Sequence, residues 1–120
     1  MSNVRPPHMP SLEPTLLESA LFREFHVLYS QEGFPPPQEI SILKREDTGA
    51  GRYLTLSSTR ASGLEDGYLD LGGKFIEMQG IPHGMMAVVI IANGEVTQLE
   101  ITVYGGDPWD GSERSIWAIK

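Results

Sequence analysis

Apolar positions along the chain follow two different rhythms. Leu17, Leu21, Phe25 and Leu28 recur at the spacing of one helix face, flanked by Leu16 and Ala20, while Glu18 and Arg23 fall off that stripe. The spacing predicts an amphipathic helix within residues 11–30. Ser11 and Thr15 are the candidate N-caps, Pro14 is tolerable only in a first turn, and Gly33 is a stop signal. The next stretch, Gly-Phe-Pro-Pro-Pro-Gln, breaks the helix, because successive prolines favour extended backbone and disfavour helix in the residue before each. It reads as a stiff connector. Residues 1–10, with Pro6, Pro7 and Pro10, read as a flexible or extended arm.

Beyond the prolines the pattern turns to alternation. Ile40 and Ile42 suggest a first strand, and Thr48-Gly49-Ala50-Gly51 a turn. Leu54 and Leu56 then face one way in a second strand, with Tyr53, Thr55 and Ser57 facing the other. Residues 58–73 form a polar, glycine-rich loop with room for a short strand near Tyr68. Residues 74–79, 84–92 and 95–104 supply third, fourth and fifth strands. The last two are joined by Asn93-Gly94, the pair suited to the positive backbone angles of a type I′ hairpin turn. The expected fold is therefore α+β. One N-terminal helix packs on one face of an antiparallel sheet of about five strands, as a single domain over residues 11–120.

Alternation also sorts the faces of the hairpin. Thr97, Leu99, Ile101 and Val103 share one side of its second strand, and Gln98, Glu100, Thr102 and Tyr104 the other. Its first strand is apolar on both sides, through Ala87, Val89 and Ile91 and through Met86, Val88 and Ile90, which predicts a central strand covered on both faces. One helix covers one face only. The other, lined by Tyr53, Phe75, Val88, Ile90, Glu100 and Tyr104, needs a cover: the loops at 58–73 and 105–114, a protein partner, or a second copy of the chain.

Charge narrows the choice. The formal net charge is −7; residues 1–60 carry seven acids and six bases, whereas residues 61–120 carry nine acids and three bases. Such a balance argues against nucleic acid or an anionic membrane as partner, and suits a basic protein. The chain contains no cysteine, which excludes disulfides, thiolate metal sites and thiol nucleophiles and agrees with a reducing cytosol. No signal peptide or membrane span is apparent in the pattern, so a soluble cytoplasmic protein is expected.

Motifs for chemistry are weak. His8, His26 and His83 are scattered and form no metal-ligand spacing. No G-x-S-x-G elbow surrounds the serines, and Gly72-Gly73-Lys74 lacks the remainder of a phosphate loop and reads as a turn. Asp107, Asp110 and Glu113 bracket Trp109 without the EF-hand spacing, so the segment reads as an acidic loop carrying a packing or contact aromatic. No catalytic residue, metal or organic cofactor is expected. A partner-binding set of Tyr53, Phe75, Glu100, Tyr104, Asp107, Trp109 and Asp110 is expected instead, because acids steer encounter and aromatics supply buried contact area.

The order of helix, proline link and a sheet ending in Asn-Gly-Glu-Val-Thr-Gln-Leu-Glu-Ile-Thr-Val-Tyr-Gly-Gly (residues 93–106) resembles small bacterial immunity-type proteins of polymorphic or contact-dependent toxin systems. The resemblance spans about residues 12–105. It implies an immunity protein that neutralises a cognate toxin domain, in this case a basic nuclease. Two alternatives stand beside it: a small ligand-binding domain or enzyme with a pocket beneath the 58–73 loop, and a homodimeric subunit.

Overall fold

Thr15 decides where the helix begins. Its backbone is extended (φ −75°, ψ 171°), its hydroxyl accepts a hydrogen bond from the Glu18 amide at 3.1 Å, and Glu18 Oε1 accepts from the Thr15 amide at 3.0 Å. This capping box satisfies amides that the first turn leaves without intrahelical partners. In the computed structural model, which describes residues 11–114 and 116–120, helix α1 accordingly runs Leu16–Tyr29. The arm expected at residues 1–10 lies outside the described residues. A single 3₁₀ turn, Ser30–Glu32, ends on Gly33 in the left-handed region (φ 99°). Pro36 is extended, and Pro37 opens a second short 3₁₀ turn that delivers the chain to the sheet.

Among the described residues the sheet has seven strands: β1 (Ile40–Asp47), β2 (Gly51–Ser58), β3 (Gly67–Asp70), β4 (Ile76–Met78), β5 (Ile81–Ala92), β6 (Glu95–Val103) and β7 (Trp117–Ile119). Their order is β1-β2-β6-β5-β4-β7, with β3 also paired to β5, and every pairing is antiparallel. The α+β architecture matches the sequence expectation, while the strand count exceeds the expected five. β7 is the unexpected addition. Its three residues are too few to display a period, and only pairing with β4 identifies them as a strand.

The β5–β6 hairpin turns at Asn93 (φ 55°) and Gly94 (φ 74°), both in the left-handed region as a type I′ turn requires. One register slip sits beside it. Ile91 pairs with Val96 but Ile90 pairs with Gln98, so Thr97 is the extra residue of a β-bulge. The bulge resets the alternation: Val96, Leu99, Ile101 and Val103 are buried, and Thr97 does not join them as the simple alternation predicted.

The core lies between α1 and one face of the sheet. Leu17, Leu21, Phe22 and Phe25 of the helix meet Leu54, Leu56, Val89, Leu99 and Ile101 of the central strands in one buried cluster. Each fully buried side chain of this size contributes about 1.5–3 kcal/mol. Both long loops also turn to the helix side. Ala61 and Leu71 are buried, Gly63 abuts the Glu32 carbonyl and Gly72 faces Leu28. Trp109 is buried likewise.

Candidate functional site

Residues paired directly across an antiparallel sheet share a face, so the register defines what the side away from the helix presents. One cross-strand row reads Asp70, Val88, Glu100, Tyr53 and Glu46 over β3, β5, β6, β2 and β1. The next reads Tyr68, Ile90, Gln98, Thr55 and Lys44. At roughly 4.8 Å between strands, each row spans about 19 Å. Tyr53 is 43% exposed, Tyr68 71% and Tyr104 44%, and Val88, Ile90 and Met86 between them are only half-buried. β5 is central, as expected. Its outer face has no second layer over it among the described residues, and neither loop proposed as a cover crosses it.

Charge on this face is one-sided. Among the described residues Glu100 and Asp70 have no cationic partner, and neither do Glu65 and Asp66 in the turn leading into β3. Lys44 is the cation of the two rows; it stands 3.9 Å from Glu46, with both side chains well exposed. A contact of that kind is worth about 0–1 kcal/mol and leaves both groups available to a partner.

Behind the sheet, charge is used differently. Glu18 is 0% exposed and Arg52 3%. Arg52 Nη1 donates to Glu18 Oε2 (3.0 Å) and Glu113 Oε2 (2.6 Å), Nε to Asp47 Oδ1 (2.8 Å), and Nη2 to the Gly111 carbonyl (2.6 Å). Arg45 reaches both oxygens of Glu18, at 2.6 and 2.8 Å. Glu113 Oε1 completes the cluster by accepting from the Leu17 amide in the first turn of α1. Burial by itself would lower the Arg52 pKa, but the hydrogen-bonded carboxylates of Asp47 and Glu113 outweigh it and raise the value above that of a free guanidinium. Among the described residues no buried side-chain polar atom lacks a partner. The cluster is a clasp that ties α1, β1, β2 and the 107–114 loop together.

The clasp changes what the residues expected at the binding site do. Trp109 is 2% exposed, under the Arg52 guanidinium and with its indole N–H on the Ser112 carbonyl, so it packs in the core and fastens the loop. Asp110 accepts from the amide and hydroxyl of Ser112, which, with the hydroxyl bond first, hold its pKa below the ordinary carboxylate value. Asp107 holds His83 Nδ1 at 2.9 Å. Asp107, Asp110 and Glu113 thus turn to three different partners. Tyr53, Glu100 and Tyr104 stay exposed or half-exposed, while Phe75 is half-buried with its ring against Gly84. His26 is engaged with the Phe34 carbonyl, Lys74 pairs with Glu24 at 2.6 Å as part of the glycine turn, and His8 lies outside the described residues.

A cleft of about 410 Å³ opens on the sheet where two strands share one edge of β5. β3 pairs with residues 88–91 and β4 with residues 81–85, leaving no strand on that edge beside Met86 and Ala87. Asp70, Lys74, Phe75, His83, Met86 and Tyr104 are among its lining residues. It is the nearest feature to the pocket expected beneath the 58–73 loop, and it lies at the C-terminal end of that span, whose Asp70, Leu71 and Gly73 line it. Among the described residues no helix is long and apolar enough to cross a membrane. No protein-family model, curated protein or solved structure matches the chain.

Proposed function

We propose that the chain is a protein-binding module of the immunity type, acting in the cytoplasm, whose open sheet face occludes a cognate basic toxin domain. One observation carries this reading: Asp70, Glu100 and Glu46 alternate with Val88 and Tyr53 in a single cross-strand row that nothing among the described residues covers. Half-buried apolar and aromatic groups flanked by carboxylates suit a recognition surface, in which rings and aliphatic chains exclude water and charge steers approach. A basic occupant fits better than a second copy. Two copies of a chain with net charge −7 would bring like-charged faces together, and like-charge juxtaposition opposes association.

The test uses the protein encoded by the neighbouring gene, since a toxin and its immunity protein are expected to be encoded side by side. A one-to-one complex that weakens with salt, and that is weakened by Tyr53→Ala and Glu100→Lys without loss of melting temperature, supports the proposal. A neighbour that does not bind, or a stable homodimer formed through this face in sedimentation, overturns it.

A further inference from the structure

We infer that the cleft beside Met86 receives an arginine side chain of the partner. This inference rests on the protein-binding reading and names the partner chemistry at one point of that face. The cleft lies at the end of the carboxylate row: Asp70 belongs to both, and Met86, which pairs with Thr102, belongs to the same outer side as Val88. Its position follows from the topology. At Met86 and Ala87 the sheet is one strand short, because residues 71–75 leave the edge of β5 and turn toward α1, with Leu71 buried and Gly72 against Leu28.

The walls select the occupant. Phe75 and Tyr104 offer aromatic surface, on which a planar guanidinium stacks better than a hydrated ammonium. Asp70 Oδ1 accepts from the Gly72 amide at 2.9 Å, and its carboxylate has no cationic partner among the described residues. Lys74 and His83 also line the cleft, but each is already answered: Lys74 Nζ lies 2.6 Å from Glu24, and His83 Nδ1 lies 2.9 Å from Asp107. With Asp70, Glu24 and Asp107 set against one lysine, the surroundings carry net negative charge. The neighbouring Tyr29, whose hydroxyl donates to the Asp70 carbonyl at 2.8 Å, has a raised pKa, through burial first and the Asp70 charge second. Arginine satisfies all three features, with its stem on Met86, its plane on the rings and its N–H groups toward Asp70.

The experiment titrates the intact chain with N-acetylarginine amide and follows backbone amide resonances. N-acetylcitrulline amide, equal in shape but neutral, and inorganic phosphate serve as comparison probes. Saturable shifts confined to residues 70–75, 83–87 and 104, absent with citrulline and weakened about tenfold by Asp70→Asn, are the expected result. Asparagine retains an oxygen for the Gly72 amide, and an unchanged melting temperature confirms that the variant folds. Equal binding of citrulline, shifts scattered over the acidic surface, or phosphate binding at the cleft overturns the inference. The two proposals fail separately. A neighbour-encoded protein whose affinity depends on Glu100 but not on Asp70 removes only the arginine pocket. Arginine binding without any complex removes only the immunity reading.

Discussion

Arg52 holds its guanidinium carbon 4.9 Å from the centroid of the Trp109 ring, and both residues are buried. The pair joins an inward position of β2 to a loop 57 residues further along the chain. Trp109→Ala removes the ring and leaves a cavity beside a buried charge. Its expected cost is about 3–5 kcal/mol in chemical denaturation. Arg52→Ala strips Glu18 of a cation inside the core, at an expected cost of about 3–5 kcal/mol. A loss below about 1 kcal/mol in both variants would show that the loop is not fastened by this contact.

Glycines 49 and 51 separate two kinds of backbone constraint. Gly49 has φ +85° with open space where a Cβ would stand, so Gly49→Ala is expected to cost about 1 kcal/mol, from left-handed backbone alone. At Gly51 an added Cβ would collide with the Ile101 carbonyl oxygen across the β2–β6 ladder. Gly51→Ala should therefore cost more, roughly 1–3 kcal/mol, and loosen amide exchange protection on both strands. Equal melting temperatures for the two variants would contradict the close approach.

Tyr29 gives the fold an alkaline limit. Its folded-state pKa is raised above the ordinary tyrosine value of 10.0, by burial first and by Asp70 second, so the folded chain retains a proton that the unfolded chain has lost. The corresponding stability is complete below about pH 10 and falls as pH rises through the folded-state value. Melting temperature measured across this range should decline more steeply for the wild type than for Tyr29→Phe. Parallel curves would count against the assignment.

Much of this arrangement was legible in the chain, and the failures share one cause. The Asn93-Gly94 turn, the α1 stripe and the alternation of β2 are local signals, and each appears where the sequence predicted it; the alternation of β6 does so only from Leu99 onward, past the bulge at Thr97. Glu18 falls off the apolar stripe in sequence, yet it is fully buried, because its partners Arg45 and Arg52 arrive from strands distant in sequence. Two signals could have exposed it. Thr15 and Glu18 have capping-box spacing, and Arg52 shares the parity of Leu54 and Leu56, which puts a charge on the core side of β2. Trp109 followed the same course. An aromatic between acids has the composition of a contact loop, and only the long-range bond network assigns it to the core. The missing cover of the outer face was legible as a question, since β5 is apolar on both sides and one helix reaches only one of them.

The most direct measurement of the binding-face assignment is the association rate between the chain and the basic partner proposed for it, sought as the product of the neighbouring gene, followed by stopped flow over a range of ionic strength. The wild type should associate faster at low salt. Glu100→Lys, on the outer side of β6 and without an ion-pair partner among the described residues, should associate more slowly and with a flatter salt dependence, while its stability changes by less than about 0.5 kcal/mol. Identical rates and identical salt slopes for the two proteins would contradict the assignment of the open sheet face as the surface that meets a basic partner.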